Sequence, residues 1–194
     1  MADLFNIKLM NVQVVGHSQI PWSFGSYGDV HVELFKKGGA KLYDVETHDD
    51  LCYSLDNVVD LTILWIGGND LFDETGVYVS KEILRLKELY LQNSQRVRVC
   101  AIEPRDYSHS YNLEWQENAG LWNQRKNKAN HRLSHYANTQ GNYRVINFTQ
   151  AQFQYNAYDG VHFPPQQVDY IIDRFETVIG HVKNELAEAE YLDM

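Results

Sequence analysis

The chain has little cysteine, little proline and no excess of positive charge, and each shortage removes a class of protein. Cys52 and Cys100 are the only cysteines in 194 residues, too few for a scaffold stapled by disulfides. Stability must therefore come from an apolar core. Four prolines and twelve glycines exclude collagen-like and low-complexity chains. With 17 basic against 26 acidic side chains and a net charge of -9, there is no electrostatic footprint for gripping a phosphate backbone, so no direct nucleic-acid partner is expected. No run reaches the roughly 18 apolar residues that span a bilayer. The opening residues also lack a basic segment followed by a sustained apolar stretch, so a soluble, cytoplasmic molecule is expected.

What is present is ordinary globular composition, 44% hydrophobic and 22% charged. A chain of this length fits one domain, here 1–194, with the acidic end 184–194 expected to fray. Assembly into a homo-oligomer is compatible with the sequence. β-Branched apolar runs at 12–15, 30–35, 61–66, 97–102 and 143–148 predict five strands. Between them lie helical patterns. The clearest covers 166–182, with Val168, Ile171, Ile172, Phe175, Val178, Ile179 and Val182 at steps of three and four after Pro164 and Pro165. A second covers 80–91, with Ser80 as its candidate N-cap, and weaker patterns cover 47–55 and 117–137. Alternation of this kind predicts an α/β fold, a mostly parallel five-stranded sheet with helices on both faces. Ligands of such folds bind beyond the carboxyl ends of the strands.

Four groups stand at those ends. Gly16-His17-Ser18 follows the first strand and presents a hydroxyl at a strand-to-helix turn, as a serine nucleophile requires. Gly38-Gly39 follows the second and lets a backbone N–H approach a ligand. Gly67-Gly68-Asn69-Asp70 follows the third, and the Asn69 amide can donate to a developing oxyanion. Asp159 precedes His162 by three residues, a spacing that lets the carboxylate accept from Nδ1–H and leave Nε2 as base.

Ser, Gly, Asn and His blocks in this order, spanning Gly16 to His162, resemble the SGNH hydrolase (GDSL-like) superfamily. The resemblance implies a three-layer, flavodoxin-like α/β/α sandwich and a serine esterase with no cofactor. It implies Ser18 as nucleophile, Asp159 and His162 as the rest of the triad, and N–H groups of Ser18, Gly39 and Asn69 as the oxyanion hole. The substrate class implied is small carboxylic esters of lipids or carbohydrates, cleaved through an acyl-enzyme. The phrases Val14-Val15-Gly16-His17-Ser18 and Leu64-Trp65-Ile66-Gly67-Gly68-Asn69-Asp70 further resemble small intracellular acetylhydrolases and the esterase domain of LINE retrotransposon proteins. His17 departs from the family's usual aspartate. That departure favours an alternative, a weak or inactive binding or assembly domain of a larger retrotransposon-type protein.

The remaining motifs are secondary. Trp22, Phe24 and Tyr107 are candidates for the substrate pocket, and the length of the aromatic segment 104–137 suggests a lid or pocket wall, although most of 117–137 reads as an amphipathic helix whose aromatics pack on the sheet. Arg125, Lys126, Lys128 and Arg132 read as the solvated face of a helix. His131 and His135 have a metal-compatible spacing but no following glutamate, so no metal is expected. Asn147-Phe148-Thr149 matches a glycosylation acceptor without secretory context. A flavin or nucleotide binder would need a phosphate-cradling glycine loop after the first strand, and none is there.

Overall fold

The computed structural model describes residues 9–107, 110, 112–140, 144–148 and 162–192. All five predicted strands are present: β1 (Met10–His17), β2 (Val30–Lys37), β3 (Val59–Trp65), β4 (Ser94–Cys100) and β5 (Val145–Ile146). They form one parallel sheet in the order β2-β1-β3-β4-β5. The last strand is shorter than expected, because Asn147 and Phe148 lie outside the ladder and Tyr143 outside the described residues.

Residues alternate between the two faces of the sheet, as the period of two demands. Val15, Leu64, Val97 and Val99 pack on one side with Val79, Ile83 and Leu86 of α3 (Gly76–Tyr90) and Trp122, Ala129 and Leu133 of α4 (Leu113–Gln140). Val12, Val14, Ile63 and Trp65 pack on the other with Ile171, Phe175, Ile179 and Val182 of α5 (Pro165–Leu192). The result is the expected three-layer α/β/α sandwich. Gln13 is fully buried in β1, and its amide donates to the hydroxyl of Thr62, its register partner on β3, at 2.8 Å.

The helices depart from expectation in ways with local causes. α3 begins before Ser80: Thr75 is its N-cap, accepting from the Tyr78 N–H at 3.1 Å, because the apolar stripe already starts at Val79. Ser80 is instead buried one turn in and accepts from the Arg132 Nε at 3.1 Å. The pattern at 47–55 resolves into α1 (Asp44–Thr47), α2 (Asp49–Cys52) and a 3-10 turn, Tyr53–Leu55, broken at the extended His48. α5 starts at the proline as expected but runs to Leu192, so residues 184–192 are helical. Glu185 pairs with Arg98, Lys183 with Asp29, and Leu186 leans on the core, which ties that end down.

Of the basic island on α4, expected as a solvated face, only Lys128 is exposed. Arg125 donates to the carbonyls of Leu71 and Phe72 at 2.8 and 2.6 Å, Lys126 is buried, and Arg132 reaches Ser80. His131 and His135 are both exposed. No helix among the described residues is long and apolar enough to cross a membrane.

Candidate active site

A sheet in this order reverses direction between β1 and β3, and the crevice at their carboxyl ends is where such folds place their chemistry. Gly16, Ser18 and Asn69 all lie there. Gly16 pairs with Trp65 in the ladder, and a Cβ at Gly16 would stand 1.8 Å from the Trp65 carbonyl oxygen. Only glycine lets β1 come so close to β3 immediately before the turn.

The turn exposes Ser18 between two buried neighbours, His17 and Gln19. His17 holds it: Nδ1 accepts from the Gln19 N–H at 3.2 Å, an acceptor role a carboxylate could also fill. That bond fixes the proton on Nε2, which points at Glu103 Oε1, 3.7 Å away. Burial pushes the His17 pKa down to about 4, against the pull of Glu103 and with the push of Arg105 and His162, so the ring is neutral at pH 7.

Across the crevice, Ser18 Oγ and His162 Nε2 stand 3.5 Å apart although 144 residues separate them in the chain. His162 precedes α5, and its neighbour Phe163 anchors this end by stacking on Trp65, 6.4 Å between centroids. Trp65 in turn packs edge-on against Phe175 of α5. Asp159 lies outside the described residues.

At the turn after β2, Gly39 is exposed and sits at φ +68°, the left-handed region that glycine tolerates, whereas Gly38 lies outside that region. Asn69 Nδ2 donates to the Ala40 carbonyl at 2.9 Å, tying the turn after β2 to the loop after β3. The same two loops are clasped again where the Leu42 N–H meets both carboxylate oxygens of Asp70 at 3.2 Å. Burial raises the Asp70 pKa to about 6 despite that bond and the nearby Lys41.

Two residues that the sequence reading missed lie directly behind the site. Glu103 and Arg105 follow β4 and are 1% and 5% exposed. Glu103 accepts from the Trp65 indole N–H at 2.9 Å and from Arg105 at 3.4 Å. Arg105 donates to Asn69 Oδ1 at 3.1 Å and to the Tyr107 hydroxyl at 2.9 Å. Burial opposes the guanidinium charge, yet Glu103 and Tyr107 more than offset it, and the pKa lies above its ordinary value. Their position at a strand's carboxyl end was the available signal.

The pocket candidates divide. Trp22 is 83% exposed, and the Lys36 ammonium lies 3.5 Å from the centroid of its ring while donating to the Ile20 carbonyl. Burial lowers the Lys36 pKa to about 8. Phe24 is instead a core residue, 3% exposed and packed on Phe175, and Tyr107 is buried against Phe72, Trp115 and Trp122. Neither offers pocket surface. Over 117–137 the structure has the packed helix and not the lid: α4 belongs to the same core cluster as α3, with Trp122 buried and its indole N–H on the Gly68 carbonyl at 3.1 Å.

Compared by sequence, no protein-family model and no curated protein matches the chain. Compared by structure, it is similar to a member of the lipolytic G-D-S-L family from Veillonella parvula, TM-score 0.65 at 16% identity, over 87% of this chain and 97% of that one. A GDSL-like lipase from Bacteroides thetaiotaomicron matches with TM-score 0.65 at 16% identity, over 89% and 88% of the two chains. An acetyl xylan esterase matches with TM-score 0.59 at 17% identity, over 88% of this chain and 100% of that one. In architecture and in the order of its strands and helices, the chain has the SGNH hydrolase fold.

Proposed function

We propose that the protein is a serine ester hydrolase with Ser18 as nucleophile and His162 as general base. The observation that carries this reading is the meeting of Ser18 Oγ and His162 Nε2 at 3.5 Å, a length typical of a resting catalytic pair that tightens with substrate. In the first step His162 Nε2 takes the hydroxyl proton as Oγ attacks the acyl carbon. The tetrahedral oxyanion is held by the N–H groups of Ser18 and Gly39 and by the Asn69 amide, and collapses as the alcohol leaves with the proton from His162. Water, deprotonated by the same ring, then releases the acid and restores Ser18. Asp159 accepts from His162 Nδ1–H and keeps Nε2 free for this work.

Short acyl esters, acetyl esters of carbohydrates foremost, are the proposed substrates. The likeness to an acetyl xylan esterase supports this choice. So does Trp22, an exposed indole four residues beyond Ser18 and braced by Lys36, which suits the apolar face of a sugar or acyl chain. The substitution that favoured a non-catalytic domain loses its weight, because His17 holds the nucleophile turn through Nδ1. Residues 1–194 would act as one domain without a cofactor.

Hydrolysis of p-nitrophenyl acetate by the wild type and by Ser18→Ala tests the proposal. Turnover in the wild type that is lost in the variant supports it; equal background rates in both would refute it.

A further inference from the structure

Beyond the proposed triad stands Arg105. It is an arginine with almost no solvent exposure, at the carboxyl end of the sheet, and its bonds do more than neutralise a neighbour. One Nη1 donates both to Asn69 Oδ1 at 3.1 Å and to the Tyr107 hydroxyl at 2.9 Å, while Nη2 reaches Glu103 at 3.4 Å. Nε is buried, with no hydrogen-bond partner among the described residues. A buried guanidinium must place its donors on acceptors, and here the acceptors are the neutral Asn69 amide and the Tyr107 hydroxyl as well as Glu103, so the fork is committed to Asn69. The chain also makes room for this pose, since a Cβ at position 68 would lie 2.7 Å from Nη2.

The consequence falls on Asn69. Its Oδ1 faces the guanidinium and its Nδ2 faces the Ala40 carbonyl at 2.9 Å. Rotating the amide by half a turn would set Nδ2 against a cation and Oδ1 against a carbonyl oxygen, so only one orientation is stable. One Nδ2 hydrogen is used on Ala40, and the second is left to donate.

We propose that Arg105 is a positioning residue of the oxyanion hole. It locks the Asn69 amide with its second Nδ2–H toward the oxyanion that forms on the substrate and places a buried positive charge behind that donor. The proposal rests on Ser18 being the nucleophile of an ester hydrolase. A planar fork can reach Asn69, Tyr107 and Glu103 together, which the single ammonium of lysine cannot. Glu103 keeps the cation buried, and through Trp65 and His17 it joins the oxyanion side to the nucleophile turn. Charge developing on the substrate oxygen would then meet a donor already polarised and already aimed.

The test is a mutant cycle on short nitrophenyl esters. Asn69→Ala should lower kcat by about 10²–10³-fold, as loss of one oxyanion donor does. Arg105→Gln should lower kcat by about 10–100-fold with KM within about twofold, because the lost interaction acts on the transition state. The double variant should be no slower than Asn69→Ala alone, within about threefold. Multiplication of the two losses, or a raised KM at unchanged kcat, would overturn the proposal.

Should Arg105→Gln fail to fold, Tyr107→Phe keeps the packed ring and removes one anchor of the guanidinium, and the same cycle with Asn69→Ala decides. A readout free of activity is the pair of Asn69 side-chain amide signals in the proton–nitrogen spectrum, assigned by their loss in Asn69→Ala. They should move toward solvent-exposed positions in Arg105→Lys and in Tyr107→Phe; unchanged positions overturn the proposal. A wild type without Ser18-dependent hydrolysis would sink the esterase reading, while the amide signals still decide whether Arg105 holds Asn69.

Discussion

Ser18 is exposed while the residues on either side of it are buried, and that contrast sets what single side chains contribute to the site. His17 is the instructive neighbour. Its ordinary pKa of 6.5 falls to about 4 in the folded chain, chiefly through burial. Between those two values the unfolded chain takes up a proton that the folded form refuses, so stability is lost as pH falls from 6.5 toward 4. The slope from this group is at most about 1.4 kcal/mol per pH unit. His17→Asn, which can still accept from Gln19, should flatten the acid limb of the stability curve measured by urea denaturation. An unchanged acid limb would mean that His17 is not the group responsible. Residues at this scale were unevenly legible. Ser18, Asn69 and His162 announce themselves by type and spacing, whereas the pairing of Glu103 with Arg105 depends on burial, which a linear sequence does not display. Phe24 and Tyr107 failed as pocket candidates for the same reason: an aromatic after a strand looks alike whether it faces a ligand or the core.

Elements were more legible than residues, because periodicity integrates over many positions. The strands stand where β-branched runs predicted them, and α5 follows from its apolar stripe. Its far end was missed because Leu186 and the Arg98–Glu185 and Lys183–Asp29 pairs act across the fold, beyond the reach of local pattern. α5 bears on the proposed reaction because His162 precedes it. Phe175, fully buried against Phe24, Trp65 and Phe148, is the main anchor of that helix. Phe175→Ala should cost about 3–5 kcal/mol of unfolding free energy, measured by chemical denaturation. A loss below about 1 kcal/mol would place the anchor elsewhere.

The clasp between the loops after β2 and β3 carries a second prediction. Asp70 has its pKa raised from 3.8 to about 6, mainly by burial. Between those values the folded form holds a proton that the unfolded chain releases, so the contribution of Asp70 to stability is lost as pH rises toward 6 and stays lost above it. Asp70→Asn retains an acceptor for the Leu42 N–H and avoids the buried charge. Its melting temperature should exceed that of the wild type at pH 7.5 by more than it does at pH 4; the reverse order would contradict the burial argument.

For the whole molecule, the sheet order decides where chemistry can sit: the β2-β1-β3-β4-β5 order opens a crevice at the carboxyl ends of β1 and β3. Into that crevice the fold brings Ser18, Asn69 and His162, which the chain scatters over 144 residues. Fold class was legible because strand and helix patterns alternate along the entire chain. The substrate was not, since specificity is set by the shape of a surface and not by a spacing. The proposed ester hydrolysis depends on Ser18 being an activated nucleophile. Incubation with a fluorophosphonate, followed by peptide mass spectrometry, measures that property without any assumption about substrate. A stable phosphonyl adduct on Ser18, formed by the wild type and abolished in His162→Ala, is the predicted result; an unmodified Ser18, or labelling that survives loss of His162, would contradict it.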